Sequence, residues 1–209
     1  MPRQKDQETA KGRQRHEEKY QRILNGAMAV FAEKGFTESR VSEIAERAGV
    51  GDGTIYLYFK NKDDLLISLF EAKLEEINAG LSQQITEQMN PKLQLQTVIE
   101  YHLNLALENP HLAALVTLEL RRSGKFMKEY AKEQFFEYLQ QWTLVIENGK
   151  EVGFFRKDFS TGILRNILFG ALDYVTGIWV SNPKRKASDL HEVAKQLEEL
   201  ILRAISAES

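Results

Sequence analysis

Residue types that catalyse reactions or bind metals are scattered along this chain rather than grouped. It has no cysteine, so neither a thiolate metal site nor a cysteine nucleophile can form. Glu108 and His111 have the spacing of a carboxylate-bridged metal site, but Pro110 lies between them and such sites need a second copy. The sequence therefore predicts no catalytic residue, no metal site and no enzymatic function. The four histidines are His16, His102, His111 and His191.

The segment Ser39 to Leu65, SRVSEIAERAGVGDGTIYLYFKNKDDL, has a clearer physical meaning. It is typical of two short helices joined by a tight turn at 48–50, where Gly49 permits the sharp crossing of a helix-turn-helix. The second of these helices would enter a DNA major groove with its N-terminal end. Small residues there, Gly51 and Gly53, would let the backbone approach the bases, and Thr54 could touch a thymine methyl group.

Further side chains of this segment are candidates for DNA contacts. The hydroxyl groups of Tyr56 and Tyr58 can bond a phosphate, whereas Leu57 would make any base contact apolar. Lys62 is expected to neutralise a phosphate beyond the helix end, and Asp52 to interact with free N–H groups at the helix start. The predicted DNA-binding residues are Arg40, Ser42, Gly51, Gly53, Thr54, Tyr56, Leu57, Tyr58, Lys60 and Lys62.

Helical apolar spacing runs through almost the whole chain, which predicts an all-α fold. Gly35 is expected to end the first helix and Ser39 to cap the second. A long helix should follow Lys62, with others at about 92–107, 111–122, 126–151, 161–180 and 187–206. Because the first residues are polar and lack a buried face, we predict a disordered arm at 1–15, a three-helix DNA-binding domain at 16–62 and a larger helical ligand-binding and dimerisation domain at 63–209.

Charge and hydropathy indicate where such a protein works. The first 62 residues hold 12 Lys and Arg against 9 Asp and Glu, and the rest holds 16 against 21. A basic end on an acidic body is typical of a protein that meets a polyanion, although a chance imbalance explains so small a difference equally well. The most apolar segment, 163–180, contains Arg165, Asn166 and Asp173, which favours a buried helix over a membrane span. We expect a cytoplasmic protein with no membrane partner.

The last two predicted helices are candidates for a dimer interface. The final helix carries an apolar stripe with three-four spacing, which is typical of a core and sometimes of a contact with a partner. Two glycines seven residues apart in the preceding helix would let a second helix approach closely. The predicted homodimer residues are Gly170, Gly177, Leu190, Val193, Leu197 and Leu200.

The stretch from about Tyr20 to Phe70 resembles the DNA-binding module of the TetR family of bacterial regulators, through the pattern IAxxAGV followed by GTIYxYFKxKxxL. The string DGTIYLYFKNKDDLLISLF (52–70) is similar to the FadR-type repressors of fatty-acid degradation within that family, as is LELRRS (118–123). The resemblance implies all-helical homodimers with three N-terminal DNA-binding helices. Many members have Ser and a basic residue where this chain has Gly51 and Asp52, which leaves the bases it reads open.

The resemblance also implies a function. Most members are repressors released by a small ligand, and in the FadR-type branch that ligand is a long-chain acyl-coenzyme A. We expect a repressor of fatty-acid degradation genes that binds a palindromic double-stranded operator, with acyl-CoA as effector and no other cofactor. One alternative is a TetR-type regulator that senses a drug or a phenolic compound; another is a helical enzyme or adaptor that binds no DNA. The expected effector-binding residues are Leu112, Leu115, Val116, Arg121, Arg122, Phe135, Trp142, Phe169 and Trp179.

Overall fold

The computed structural model describes residues 4–119 and 132–207. Over these ranges the chain forms helices joined by short connections, and the all-α prediction is confirmed. The predicted effector residues Arg121 and Arg122 lie outside the described residues. The helices are α1 (Gln4–Glu38), α2 (Val41–Ala48), α3 (Asp52–Tyr58), α4 (Lys62–Gln84), α5 (Pro91–Glu108), α6 (Pro110–Ala114, continued by a π-helical turn at Leu115–Glu119), α7 (Lys132–Glu151), α8 (Thr161–Ser181) and α9 (Ala187–Ile205).

The chain divides into two compact units, Met1–Phe70 and Glu71–Ser209. The division falls inside α4, eight residues after the boundary that the sequence suggested at 62–63. A helix that continues from one unit into the next gives no local signal of a boundary, because its apolar spacing is uninterrupted.

The first unit is a three-helix domain in which α1 packs against α2 and α3. Its core is apolar, and a Cβ at Gly26 of α1 would lie 3.1–3.2 Å from backbone and side-chain atoms of Ile44 and Ala48 in α2. That distance is tighter than most real Cβ contacts, so glycine lets the two helices approach here. The core residues of this unit include Ile23, Leu24, Ala27, Val30, Phe31, Ile44, Ala45, Ile55, Phe59, Leu65 and Leu69.

Two glycines end helices in this unit through left-handed backbone conformations. Gly35 has φ 77° inside the range of α1 and breaks its helical geometry, as the sequence predicted. Gly49 has φ 65° at the end of α2, and its N–H donates to carbonyls of the last helical turn. Positive φ is a conformation that only glycine adopts without strain, so both positions fix where a helix stops.

The predicted disordered arm at 1–15 is corrected by the structure, because α1 is helical from Gln4 onward. The side chains of residues 11–19 are all exposed, so this part of α1 packs no apolar face. The absence of a buried face suggested disorder, but Lys, Arg, Gln, Glu and Ala are good helix formers, and the segment continues a helix that the core has already nucleated.

The second unit has its core between α5, α7, α8 and α9, with the C-terminal half of α4. Trp142, Leu168 and Leu172 are among its most buried side chains. The helix α8 is long and apolar enough to cross a membrane by length and composition alone. However, its buried residues include Asp173 and Thr176, and it packs against its neighbours as the core helix of a folded domain does.

Candidate functional site

The N-terminal end of α3 is small and open, as the sequence predicted. Gly51 precedes the helix and accepts a 2.8 Å hydrogen bond from the N–H of Thr54 through its carbonyl. Gly51 and Gly53 are exposed, and a Cβ at Gly53 would meet nothing within 4 Å. Asp52 is the first helical residue, so its carboxylate lies at the positive end of the short helix. A partner molecule can therefore approach this backbone closely.

One face of α3 is buried and the other points to solvent. Ile55 and Phe59 are in the core, whereas Tyr56 is 58% and Leu57 is 82% exposed. Leu57 is a large apolar side chain that lies mostly in solvent on the outward side of the helix-turn-helix. That exposure fits an apolar contact to a base edge, such as a thymine methyl group.

Tyr58 is held by the first helix. Its hydroxyl donates to the backbone carbonyl of His16 at 3.4 Å, and its ring lies 4.5 Å from the His16 ring. Tyr20 stacks on Phe59 at 5.4 Å beside this pair. The contact of Tyr58 with a phosphate remains a prediction, and the structure adds a second role, which is to fix the N-terminal part of α1 beside α3.

The structure corrects the role of Lys62. Its ammonium group donates to the carbonyls of Phe36, Thr37 and Ser39, at 2.7, 3.1 and 3.0 Å. It also lies 4.6 Å from the centre of the Phe36 ring. All three donors of the ammonium are therefore used to hold the connection between α1 and α2, rather than left available for a phosphate. Three carbonyls that lie 23 to 26 residues earlier in the chain could not be read from local spacing.

The start of α2 differs from the prediction as well. Ser39 is buried and donates to the carbonyl of Gly35 at 2.6 Å, so it closes α1 instead of capping α2. The carboxylate of Glu43 accepts from the ammonium of Lys34 at 2.7 Å and from the backbone N–H of Arg40 at 3.1 Å. These bonds, that of Lys34 first, hold the pKa of Glu43 below its usual value. The side chains of Arg40 and Ser42 are exposed.

Lys60 is the predicted DNA-binding residue that follows α3 in the chain. Its side chain is exposed just beyond α3, and its backbone N–H donates to the carboxylate of Asp64 at 2.8 Å. Lys60 follows α3 and Arg40 precedes α2, and both are exposed, so we keep them as proposed phosphate contacts.

In the second unit, three of the predicted effector residues come together. The Phe169 ring lies 5.3 Å from Phe135 and 6.1 Å from Trp142, in edge-to-face arrangements. Two further aromatic rings complete this group, His102 and Tyr138, both within 6.5 Å of Phe169. We call these five residues the aromatic cluster. It unites α5, α7 and α8, and sequence reasoning missed His102 because its partners are distant in the chain.

Tyr138 and Trp142 are the most buried members of the aromatic cluster, at 4% and 1% exposed. Burial raises the pKa of the Tyr138 phenol far above its usual value, more than the neighbouring Trp142 indole lowers it. The hydroxyl of Tyr138 therefore stays protonated and lies 2.9 Å from Nδ1 of His102, to which it can donate. The indole N–H of Trp142 is buried without a well-formed hydrogen bond among the described residues. The indole N–H lies beside the Tyr138 hydroxyl, whose pKa it lowers, and could also donate to a ligand carbonyl.

The other predicted effector residues lie elsewhere. Trp179 donates to the carbonyl of Lys186 at 2.8 Å, which ties it to the connection between α8 and α9. Leu115 is buried in the π-helical turn, and Leu112 and Val116 are half-buried beside it. A surface cavity of about 520 Å³ adjoins that turn, and it is lined by Thr117, Asp173, Tyr174, Gly177, Ile178, Ser181 and Asn182. Within the described parts of the chain, the predicted effector residues therefore lie in separate places: the aromatic cluster, the π-helical turn and the connection between α8 and α9.

The predicted dimer residues separate into two groups. Leu190 is 1% exposed and belongs to the core, whereas Gly177 is half-buried beside Thr117, to which a Cβ there would lie at 3.7 Å. Gly170 and Leu200 are exposed, and Val193 and Leu197 are half-buried. Sequence spacing could not tell the two faces of α9 apart. It also missed the exposed apolar residues of α8, which are Ile163, Ile167, Tyr174 and Ile178.

Two family descriptions match this chain. The model for "Bacterial regulatory proteins, tetR family" matches residues 23–69, and that for "YsiA-like protein, C-terminal region" matches residues 70–204. The chain belongs to the TetR family. As in other TetR regulators, the matched N-terminal region holds the helix-turn-helix, and the chain is a DNA-binding transcriptional regulator.

Relatives of this TetR regulator include a fatty acid metabolism regulator protein of Bacillus subtilis. It is 35% identical over 187 residues, which are 90% of this chain and 95% of the relative. The structure of the fatty acid degradation regulator FadR from Bacillus halodurans matches with a TM-score of 0.81 at 35% identity, over 88% of this chain and 94% of that one. FadR from Bacillus subtilis in complex with stearoyl-CoA also matches with a TM-score of 0.81 at 35% identity, over 88% and 97%.

Proposed function

We propose that this protein is a cytoplasmic, non-enzymatic repressor of fatty-acid degradation genes that leaves its operator when a long-chain acyl-CoA binds the second unit. The observation that carries the proposal is the similarity, along nearly the full length of both chains, to regulators of fatty acid metabolism. One of these regulators is seen in complex with stearoyl-CoA.

The aromatic cluster supports the choice of effector. Its five rings offer an apolar surface for an acyl chain, which gains about 0.8 kcal/mol for each buried CH₂ group. The indole N–H of Trp142, which has no well-formed hydrogen bond among the described residues, offers a donor for a thioester carbonyl, the type of polar group that such a ligand carries. We propose that Arg121 and Arg122 bind the phosphates of the coenzyme A group. In the sequence they lie four and five residues after Thr117, which lines the cavity beside the π-helical turn.

The exposed apolar residues of α8 and α9 support a homodimer. Ile163, Ile167 and Tyr174 are spaced by four and seven residues along one side of α8, and each is more than half exposed. An apolar surface of this kind on a soluble chain marks a contact with a partner. Two copies joined here would present two α3 helices, as a palindromic operator requires.

Calorimetry with a series of acyl-CoA lengths tests the effector. Affinity should rise with chain length to an optimum, and Trp142→Phe should weaken binding about threefold to tenfold, because it removes one hydrogen-bond donor and keeps an aromatic ring. Trp179→Phe is the matched control, since its indole N–H already donates to Lys186 within the chain and should not contact the ligand. If no acyl-CoA binds at any length, the lipid effector is wrong and the DNA-binding function stands.

The same titration separates the alternative, a regulator released by a drug or a phenolic compound. A free fatty acid and a small aromatic acid should bind at least tenfold more weakly than the matching acyl-CoA, because they lack the phosphates that the arginines would bind. Arg121→Ala with Arg122→Ala should remove that preference. Tighter binding of the aromatic compound would favour the alternative.

A further inference from the structure

The N-terminal half of α1 carries a basic stripe, which comprises Lys11, Arg15, Lys19 and Arg22. Successive residues of a helix are about 100° apart, so positions 11, 15, 19 and 22 fall within a sector of about 80°. All four side chains are exposed. Within the segment 11–22, the two acidic residues lie outside the sector and accept hydrogen bonds from neighbouring glutamines, Glu17 from Gln21 and Glu18 from Gln14.

The basic stripe adjoins the turn that leads into α3. A guanidinium nitrogen of Arg22 lies 3.8 Å from where a Cβ would stand at Gly49, the residue that ends α2. The middle of the segment is fixed as well, because the His16 ring packs on Tyr58 at the last turn of α3. Residues 16–22 thus run alongside α3, from the turn before it to its C-terminal end, and Lys11 and Arg15 continue beyond them on the same helix.

We propose that the basic stripe binds the phosphate backbone of DNA that flanks the operator half-site read by α3. Charge and position indicate DNA as the partner. The helix α3 contains no basic residue and carries Asp52, while the four cations of the basic stripe lie on the adjoining segment. All four residues of the stripe precede residue 23, where the family match begins. The proposal rests on operator binding by the helix-turn-helix.

The test uses the full chain and a duplex that the unmodified protein enriches from a random-sequence pool. A short form ends at the outer base pairs of the enriched palindrome, and a long form continues for about one helical turn, about 10 base pairs, on each side. The variant is Lys11→Gln, Arg15→Gln and Lys19→Gln, which keeps side-chain length and helix propensity. The control is Lys157→Gln, Lys184→Gln and Lys195→Gln, exposed residues of the second unit with the same change of charge.

The unmodified protein and the control should bind the long duplex more tightly than the short one. The stripe variant should lose roughly tenfold or more on the long duplex and show no preference between the two forms. Its plot of log affinity against log salt should become shallower by about 0.9 for each lost phosphate contact. The proposal is overturned if the variant keeps the preference, or if the control loses as much. If no sequence is enriched from the pool, it is operator binding itself that fails.

Discussion

Replacing Lys62 with methionine tests whether this lysine stabilises the fold or binds DNA. The change keeps the aliphatic stem on Phe36 and removes the ammonium that donates to three carbonyls. A hydrogen bond from a charged group contributes about 1.5–3 kcal/mol when it is buried. Because Lys62 is only half-buried and water can reach part of this site, we expect a total loss of about 2 kcal/mol.

Thermal unfolding followed by circular dichroism measures this loss. A change of about 2 kcal/mol should lower the midpoint by about 4–8 °C in a protein of this size. Hydrogen exchange should accelerate first at residues 36–41, where the carbonyls lose their donor. The slope of log DNA affinity against log salt should stay unchanged, because no phosphate contact is removed.

Lys60→Met is the matched control, since Lys60 is exposed two residues earlier and its side chain is a proposed phosphate contact. It should leave the unfolding midpoint unchanged and make the salt dependence shallower by about 0.9 per protomer. The reverse pattern, with Lys62→Met stable and its salt dependence reduced, would refute the structural role that we assign to Lys62.

Three further substitutions test other parts of the molecule. Tyr56→Phe should weaken operator binding by about 1 kcal/mol in fluorescence anisotropy, the scale of one hydrogen bond, and an unchanged affinity would remove its hydroxyl from the contacts. Ile167→Glu should convert the dimer to monomer in sedimentation at micromolar concentration, whereas Leu144→Glu, on an exposed position of α7, should not; dissociation of both would argue against α8 as the interface. Gly149→Ala should lower the thermal midpoint, because its Cβ would overlap the buried Phe155 ring at a cost of roughly 1–3 kcal/mol, and a stable variant would show that the ring can move.

The order of the helices could be predicted because the signals that define them are local. Apolar residues at helical spacing indicate each helix, and Gly35 and Gly49 mark two of the ends through positive φ. The close approach of α1 to α2 at Gly26, where a Cβ would lie 3.1 Å from α2, could not be predicted in the same way. Spacing predicts that two helices cross but not which residue lies at the crossing.

The candidate sites were harder to predict because their contacts are distant in sequence. Exposed residues of α3 followed from its short amphipathic pattern, and Tyr56 and Leu57 do face solvent. The aromatic cluster joins His102 to residues that follow it by 33 to 67 positions, and only the packing of three helices brings them together. Likewise, nothing local distinguishes Leu190, which is in the core, from Leu200, which is exposed on the same helix.

The chemistry of α3 explains why contacts outside it matter for binding DNA. This helix is seven residues long, begins with small side chains and bears a negative charge at Asp52. It can therefore approach the bases closely, but it can make few strong hydrogen bonds to them. We therefore expect most of the affinity to come from phosphates, and we propose that Arg40, Lys60 and the basic stripe bind them. Because phosphate contacts bear no sequence information, we expect them to set affinity and Thr54, Tyr56 and Leu57 to set specificity. A single half-site read by so few side chains would discriminate weakly, and the proposed pairing of two protomers through α8 and α9 would multiply the discrimination that each provides.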